Sequence, residues 1–145
     1  MHKIFVLLFS LLFAHGVMQA SDGKLIEKSQ LPVKSQQFLN EYFNRSVVSY
    51  VKEDEDFFNK EYDVVFTDGT KIEFAKNGEW KSISCKQTEV PLRLVPVKII
   101  NHLKTNHPGY RILELEKDRR GYELKLANGL ELNFDKNFVL TEIDD

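Results

Sequence analysis

Residues 62–77 read YDVVFTDGTKIEFAKN, and residues 122–137 read YELKLANGLELNFDKN. Tyr62 aligns with Tyr122, Gly69 with Gly129, Phe74 with Phe134, and Lys76 and Asn77 with Lys136 and Asn137, at a constant offset of 60. Upstream, Leu31-Pro32-Val33-Lys34 returns as Val95-Pro96-Val97-Lys98 at an offset of 64. The difference of four places an insertion in the first copy near 53–60, inside a predicted turn, where length changes are tolerated. Self-similarity at a fixed offset marks a repeated structural unit. The two copies cover about 25–86 and 87–145.

The alternation inside the repeated stretch is that of a strand covered on one side. Tyr62, Val64 and Phe66 alternate with Asp63, Val65 and Thr67, and Tyr122, Leu124 and Leu126 with Glu123, Lys125 and Ala127. Ile72 and Phe74 oppose Lys71 and Glu73, as Leu132 and Phe134 oppose Glu131 and Asn133. Asp68-Gly69, Asn77-Gly78 and Asn128-Gly129 predict tight two-residue hairpins with both central residues at positive φ. Phe138 stands where the first copy has Gly78, so the last hairpin is expected to be looser. Strands are expected near 46–53, 60–67, 70–76 and 79–84, then near 110–117, 121–127, 130–135 and 138–143.

Each copy opens with a short helix whose first turn holds Pro32 or Pro96, where a missing N–H costs nothing. Val33, Leu39, Tyr42 and Phe43 fall near one face of the first helix. Val97, Ile100, Leu103 and His107 do so on the second, which Pro108-Gly109 ends. One short helix on four strands is a marginal core. The expected fold is therefore α+β: two tandem helix-plus-four-strand units forming one antiparallel sheet of roughly eight strands, with both helices on one face.

Residues 1–20 stand outside this pattern. His2 and Lys3 precede the apolar run IFVLLFSLLFA at 4–14, and a short tail ends at Gln19-Ala20. This is the layout of a secretory signal peptide cut after Ala20, with a buried N-terminal helix as the alternative. The run is too short to span a membrane as a helix. Residues 21–145 are then one domain made of both copies, and the protein is expected in the periplasm or secreted. Across all 145 residues, 20 Lys+Arg face 22 Asp+Glu, so no basic excess points to nucleic acid. Cys85 is the single cysteine, which excludes a self-contained disulfide scaffold.

The repeated pattern resembles the PepSY-like family, small exported bacterial proteins described as β-lactamase-inhibitor-like. The resemblance rests on Pro32, Tyr62, Asp68, Gly69, Phe74 and Trp80, and again on Pro96, Tyr122, Asn128, Gly129 and Phe134. It spans about residues 25–145 and implies tandem helix-plus-four-strand units, an exported location and no established catalysis. β-Lactamase inhibitor protein carries disulfides, and the lone Cys85 departs from that pattern.

No residue set for catalysis, a cofactor or a metal emerges. Cys85 lies at the end of a strand with no evident activating His, and reads as a half-buried thiol, the alternatives being a Cys85-linked dimer after export and a catalytic thiol. His102 and His107 are five apart, off the i, i+4 spacing of helical metal ligands, and replace Phe38 and Phe43 of the first copy, so they read as packing residues. The acidic run Glu53-Asp54-Glu55-Asp56 lacks the glycine of a calcium loop and reads as a solvated turn, the alternatives being weak cation binding or a basic partner. Arg119 and Arg120 occupy the matching turn of the second copy.

The candidate protein-binding residues are aromatic. Parity puts Val48, Tyr50 and Ile112 on the face away from the helices, and sets Trp80 opposite to Ile83. Tyr50, Trp80 and Phe138 are thus expected to form an exposed patch on the open sheet face, of the kind that anchors interfaces. The alternative is that Trp80 plugs a sheet end or the groove between the units. The functional expectation is an exported, non-catalytic binding module, an inhibitor of peptidase or β-lactamase type among its forms. It would use the open sheet face or hairpin loops against an envelope or extracellular protein. The second expectation is an envelope protein that binds a small ligand or a cation.

Overall fold

Two prolines set the course of the two helices. In the computed structural model, which describes residues 23–145, α1 spans Val33–Tyr42 and α2 spans Val97–Asn106. The expected leader at 1–20 lies outside the described residues. Pro32 (φ −52°, ψ 143°) and Pro96 (φ −55°, ψ 142°) sit at the N-cap, one position before the first helical residue. Their carbonyls accept the first helical hydrogen bonds, from the N–H of Gln36 at 3.1 Å and of Ile100 at 3.0 Å. The inward faces are built on Ser35 and Leu39 in α1 and on Ile99 and Leu103 in α2. Val33 and Val97, expected inward, are 67% and 73% exposed, because the first turn emerges at the rim of the sheet. The fully buried Ser35 hydroxyl instead donates to the Gly78 carbonyl at 2.9 Å and ties α1 to a hairpin.

The strands are β1 Lys24–Ile26, β2 Val48–Glu55, β3 Lys60–Phe66, β4 Lys71–Ala75 and β5 Trp80–Ser84. β6 Ile112–Asp118, β7 Gly121–Leu126, β8 Glu131–Asp135 and β9 Leu140–Asp144 follow α2. They form one sheet in sequential order, antiparallel throughout. The count is nine, not eight. β1 pairs with the outer edge of β2 (Lys24↔Glu53, Ile26↔Val51), and its three residues are too few to show a period. β5 joins the halves by pairing with β6 through Ser82↔Glu116, Ile83↔Leu115 and Ser84↔Glu114.

The hairpins differ from the expected two-residue form, and all four repeat one geometry. Phe66 donates to the Thr70 carbonyl and Gly69 to the Phe66 carbonyl, enclosing three loop residues with only Gly69 at positive φ. The same pair of bonds closes the loops at 76–78, 127–129 and 136–138. This is a type I turn followed by one left-handed residue. Asp68, Asn77 and Asn128 brace it by accepting the N–H of Thr70, Glu79 and Leu130. The last hairpin is not looser: Phe138 takes the left-handed conformation itself, at φ 65°.

Four bulges correct the strand parity. Register shifts fall between Val48 and Tyr50, Glu73 and Phe74, Ile112 and Glu114, and Asn133 and Phe134. An extra residue lets apolar side chains three apart share a face. Val48 with Val51, Trp80 with Ile83 and Ile112 with Leu115 therefore all pack toward the helices. Val48 and Ile112 do not face away as expected. Trp80 is 9% exposed and lies in the core.

Beneath the helices the halves pack alike. Phe38 meets Phe74 edge-on at 5.6 Å and 83°, and His102 meets Phe134 at 5.4 Å and 83°. The histidine brings a cost that phenylalanine does not: its Nε2 is buried and has no hydrogen-bond partner. An unsatisfied buried polar atom costs about 1–3 kcal/mol. His102→Phe is expected to raise the unfolding free energy by about 1 kcal/mol, read by urea denaturation. A loss of stability would show that the imidazole is satisfied in solution.

Candidate binding face

The helices cover one side of the sheet and leave the other open. Strand register lays the open side out in two rows. One row runs Tyr50, Val65, Lys71, Ser84, Glu114, Lys125, Glu131, Asp144. The next runs Lys52, Asp63, Glu73, Ser82, Glu116, Glu123, Asn133, Glu142. Lysines concentrate in the first half. Lys71 lies 3.7 Å from Asp63 and 3.5 Å from Glu73, Lys81 bonds Glu61 at 2.9 Å, and Lys125 stands 3.5 Å from Glu114. These pairs are solvated, so each contributes little to stability.

Carboxylates accumulate toward the second half, around a shallow hollow of about 600 Å³ bordered by Glu73, Lys81, Glu116, Arg120, Glu123 and Asn133. Desolvation by the surrounding sheet raises the pKa of Glu116, and the carboxylates of Glu114, Glu73, Glu131 and Asp118 raise it further. Desolvation likewise raises Glu123, followed by Glu116, Glu131, Glu114 and Asp144. The first half contrasts with this. There desolvation raises Asp63, but the Lys71 ammonium opposes it. The sheet thus presents a face that is charge-balanced at one end and short of cations at the other.

Tyr50, Trp80 and Phe138 do not share this face. Tyr50 does, at 45% exposure beside Val65 and Lys71. Trp80 lies on the helix side with its ring 6.2 Å from Phe38, and the Lys117 ammonium sits 4.2 Å above it in a cation–π contact. Phe138 packs against Tyr122 at 5.9 Å, also on the helix side. The bulge between Glu73 and Phe74 moves Trp80 across the sheet. The signal for it was present as the i, i+3 spacing of Trp80 and Ile83, repeated by Leu140 and Ile143.

One further feature went unread in the sequence. Phe57 and Phe58, in the turn between β2 and β3, are 100% and 98% exposed. The acidic run beside them is partly ordered into strand: Glu53 and Glu55 grip Lys60 at 2.9 and 3.0 Å, while Asp56 braces the turn. Cys85 is only 4% exposed, and burial raises its thiol pKa against hydrogen bonds to Thr88 and Thr70. A Cys85-linked dimer needs that thiol at the surface. Among the described residues no group of three or more His, Cys, Asp or Glu is placed to hold a metal ion.

Residues 60–142 match a known family, whose description is "Putative beta-lactamase-inhibitor-like, PepSY-like". The chain belongs to the PepSY-like family. Similar solved structures extend the likeness to both halves. One, from Bacteroides thetaiotaomicron, is described as "a putative calcium-regulated periplasmic protein". It is 42% identical at a TM-score of 0.84, over 87% of this chain and 99% of its own. A second, from Bacteroides vulgatus, is described as a periplasmic protein of the DUF2874 family, with 41% identity, a TM-score of 0.83 and the same coverage. A third, also from Bacteroides vulgatus and of unknown function, is 34% identical at a TM-score of 0.80 over 85% of this chain and 99% of its own. No curated protein matches the chain.

Two substitutions separate the roles of the two faces in this PepSY-like chain. Trp80→Ala is expected to cost about 3–5 kcal/mol in chemical denaturation, the range for a buried large aromatic. A change under about 1 kcal/mol would return Trp80 to the surface. Glu116 has a raised folded-state pKa, so its contribution is fully present below the ordinary Glu range and is lost as pH rises through the folded value. Glu116→Gln should therefore raise the melting temperature by about 1–2 °C at neutral pH. It should give no gain at about pH 3.5, where Glu116 is protonated. A gain equal at both pH values would exclude charge repulsion as its cause.

Proposed function

We propose that this PepSY-like chain is an exported, non-catalytic binding module whose open sheet face recognises a cationic segment of an envelope or extracellular protein. The observation that carries the reading is Glu116 and Glu123. Both stand on an uncovered face, and the groups that act most strongly on them beyond desolvation are other carboxylates. A lysine- or arginine-rich partner relieves that repulsion on binding, whereas the isolated protein bears it. Such complementarity acts mainly on specificity and association rate. Tyr50, at the edge of the same face, supplies an amphipathic contact.

Export is supported by the leader pattern at 1–20 and by the periplasmic descriptions of the similar structures. Among the described residues no helix is long and apolar enough to cross a membrane. A non-catalytic role is supported by the family and by a thiol that burial holds protonated. The inhibitor-like family description supports the finer reading that the bound protein is an enzyme held inactive.

A second reading, cation binding, draws on the same carboxylates and on the calcium-regulated description of the first similar structure. Calcium takes about 6–8 oxygens wrapped around it, and this face is broad and shallow. Two measurements divide the readings. Capture from envelope extract is expected to yield proteins that are lost with Glu116→Lys/Glu123→Lys and that elute as salt rises. Equal recovery by wild type and variant would remove the sheet face from the site. A melting temperature that climbs with millimolar calcium in wild type and not in the variant would favour the cation.

A further inference from the structure

Phe57 and Phe58 touch little but each other, with ring centroids 6.5 Å apart. Their turn is nevertheless braced. The Asp56 carboxylate accepts the N–H of Phe58 at 2.9 Å and of Asn59 at 2.8 Å, and the Asp56 N–H donates to the Asn59 carbonyl at 2.9 Å. The Lys60 ammonium donates to the Glu53 and Glu55 carboxylates and locks the two strands just behind it. The counterpart between β6 and β7 is a short turn carrying Arg119 and Arg120, so the fold does not require this extension or its rings. Each phenyl buried on association removes about 150–250 Å² from water.

An apolar hollow lies at the opposite end of the strands. It has a volume of about 210 Å³ and sits where α2 ends and β6 begins, lined by Leu92, Ile100, Leu103, Lys104, His107 and Tyr110. Leu92 and Tyr110 are 55% and 49% exposed at its mouth. A cavity of about 150 Å³ lined by apolar side chains accepts benzene, so this one has room for a phenyl ring. Its cationic side chain is Lys104, and no carboxylate lines it. The Phe57-Phe58 stalk is the reverse: Glu53, Asp54, Glu55, Asp56 and Glu61 outnumber the lysines beside them, Lys24, Lys52, Lys60 and Lys81.

We infer that the hollow of one copy receives the Phe57-Phe58 tip of a second copy, giving head-to-tail self-association. β2 and β6 run in the same direction, the tip follows the end of β2 and the hollow precedes β6, so a chain cannot fill its own hollow. Acidic stalk then meets lysine-bearing rim. The stalk carboxylates disfavour an anionic lipid surface as the alternative. A contact of one tip in one hollow is smaller than the roughly 800 Å² per partner of a stable interface, so association is weak, with Kd of about 100 μM to 1 mM. A heterologous contact of this kind adds copies in line rather than stopping at a pair.

Sedimentation equilibrium of the purified protein, from micromolar to millimolar, tests this while leaving Glu116 and Glu123 intact. The wild-type average mass is expected to climb with concentration. Phe57→Ser/Phe58→Ser removes the tip, and Leu92→Glu/Lys104→Glu closes the hollow to an acidic stalk. Each variant should associate at least tenfold more weakly alone while keeping the wild-type circular dichroism spectrum. Mixed one to one, they retain one good tip and one good hollow and should form pairs that grow no further. Wild type that stays monomeric throughout overturns the inference, as does association that both variants retain. Vesicle binding, or capture of another protein, that depends on Phe57 and Phe58 while the chain remains monomeric overturns it too, and reassigns the tip.

Discussion

The β5–β6 ladder is the contact on which the rest depends. Three residue pairs, Ser82↔Glu116, Ile83↔Leu115 and Ser84↔Glu114, make one sheet out of a five-stranded and a four-stranded unit. The Cys85 N–H extends it by bonding the Leu113 carbonyl at 2.8 Å. Each half by itself has a single ten-residue helix to cover its strands. Joined, they share one core in which Ile83 and Leu115, opposite each other across the seam, are both fully buried. Burial of Cys85 follows from its place at the end of this ladder, which removes the chain's one thiol from the surface.

A sheet with cover for only one face has an open face by necessity. The helices provide apolar cover through Leu39, Phe38, Ile99 and Leu103, so strand parity sends nearly all charge to the other side. Its distribution there is not uniform. Lys71 and Lys81 neutralise the first half, whereas Glu116 and Glu123 crowd the second. The same division explains why aromatic residues are poor markers of the open face in this protein. Their burial is worth most against the helices, and that is where Trp80, Phe74 and Phe134 go.

Correspondence between the halves extends to irregular features. Bulges occur at matching positions, and all four three-residue loops place one residue at positive φ. Phe138 accepts that conformation where Gly78 has it freely, because the closing hydrogen bonds and the Tyr122 contact hold the loop. His102 stands in the packing position of Phe38 and leaves a ring nitrogen unsatisfied. Such substitutions show how far the scaffold tolerates a misfit at one site when the surrounding ladder is intact.

Sequence alone determined the helices, the eight principal strands, the burial of 62, 64, 66, 72 and 74 and of 124, 126, 132 and 134, and the charged character of the open side. All of these rest on short-range periodicity, which the backbone geometry of helix and strand imposes locally. Tertiary structure decided the rest. The three residues of β1 become a strand only because β2 has a free edge. Val33 and Val97 turn outward because the helices begin at the sheet's rim. Trp80, Val48 and Ile112 change sides because a bulge shifts parity by one residue, and period-2 counting carries no record of where a ladder slips. Gathering Glu114, Glu116, Glu123 and Glu131 on one surface required three successive strands to pair in this register. A charge is legible in a sequence, but its neighbours across a sheet exist only once the strands have paired.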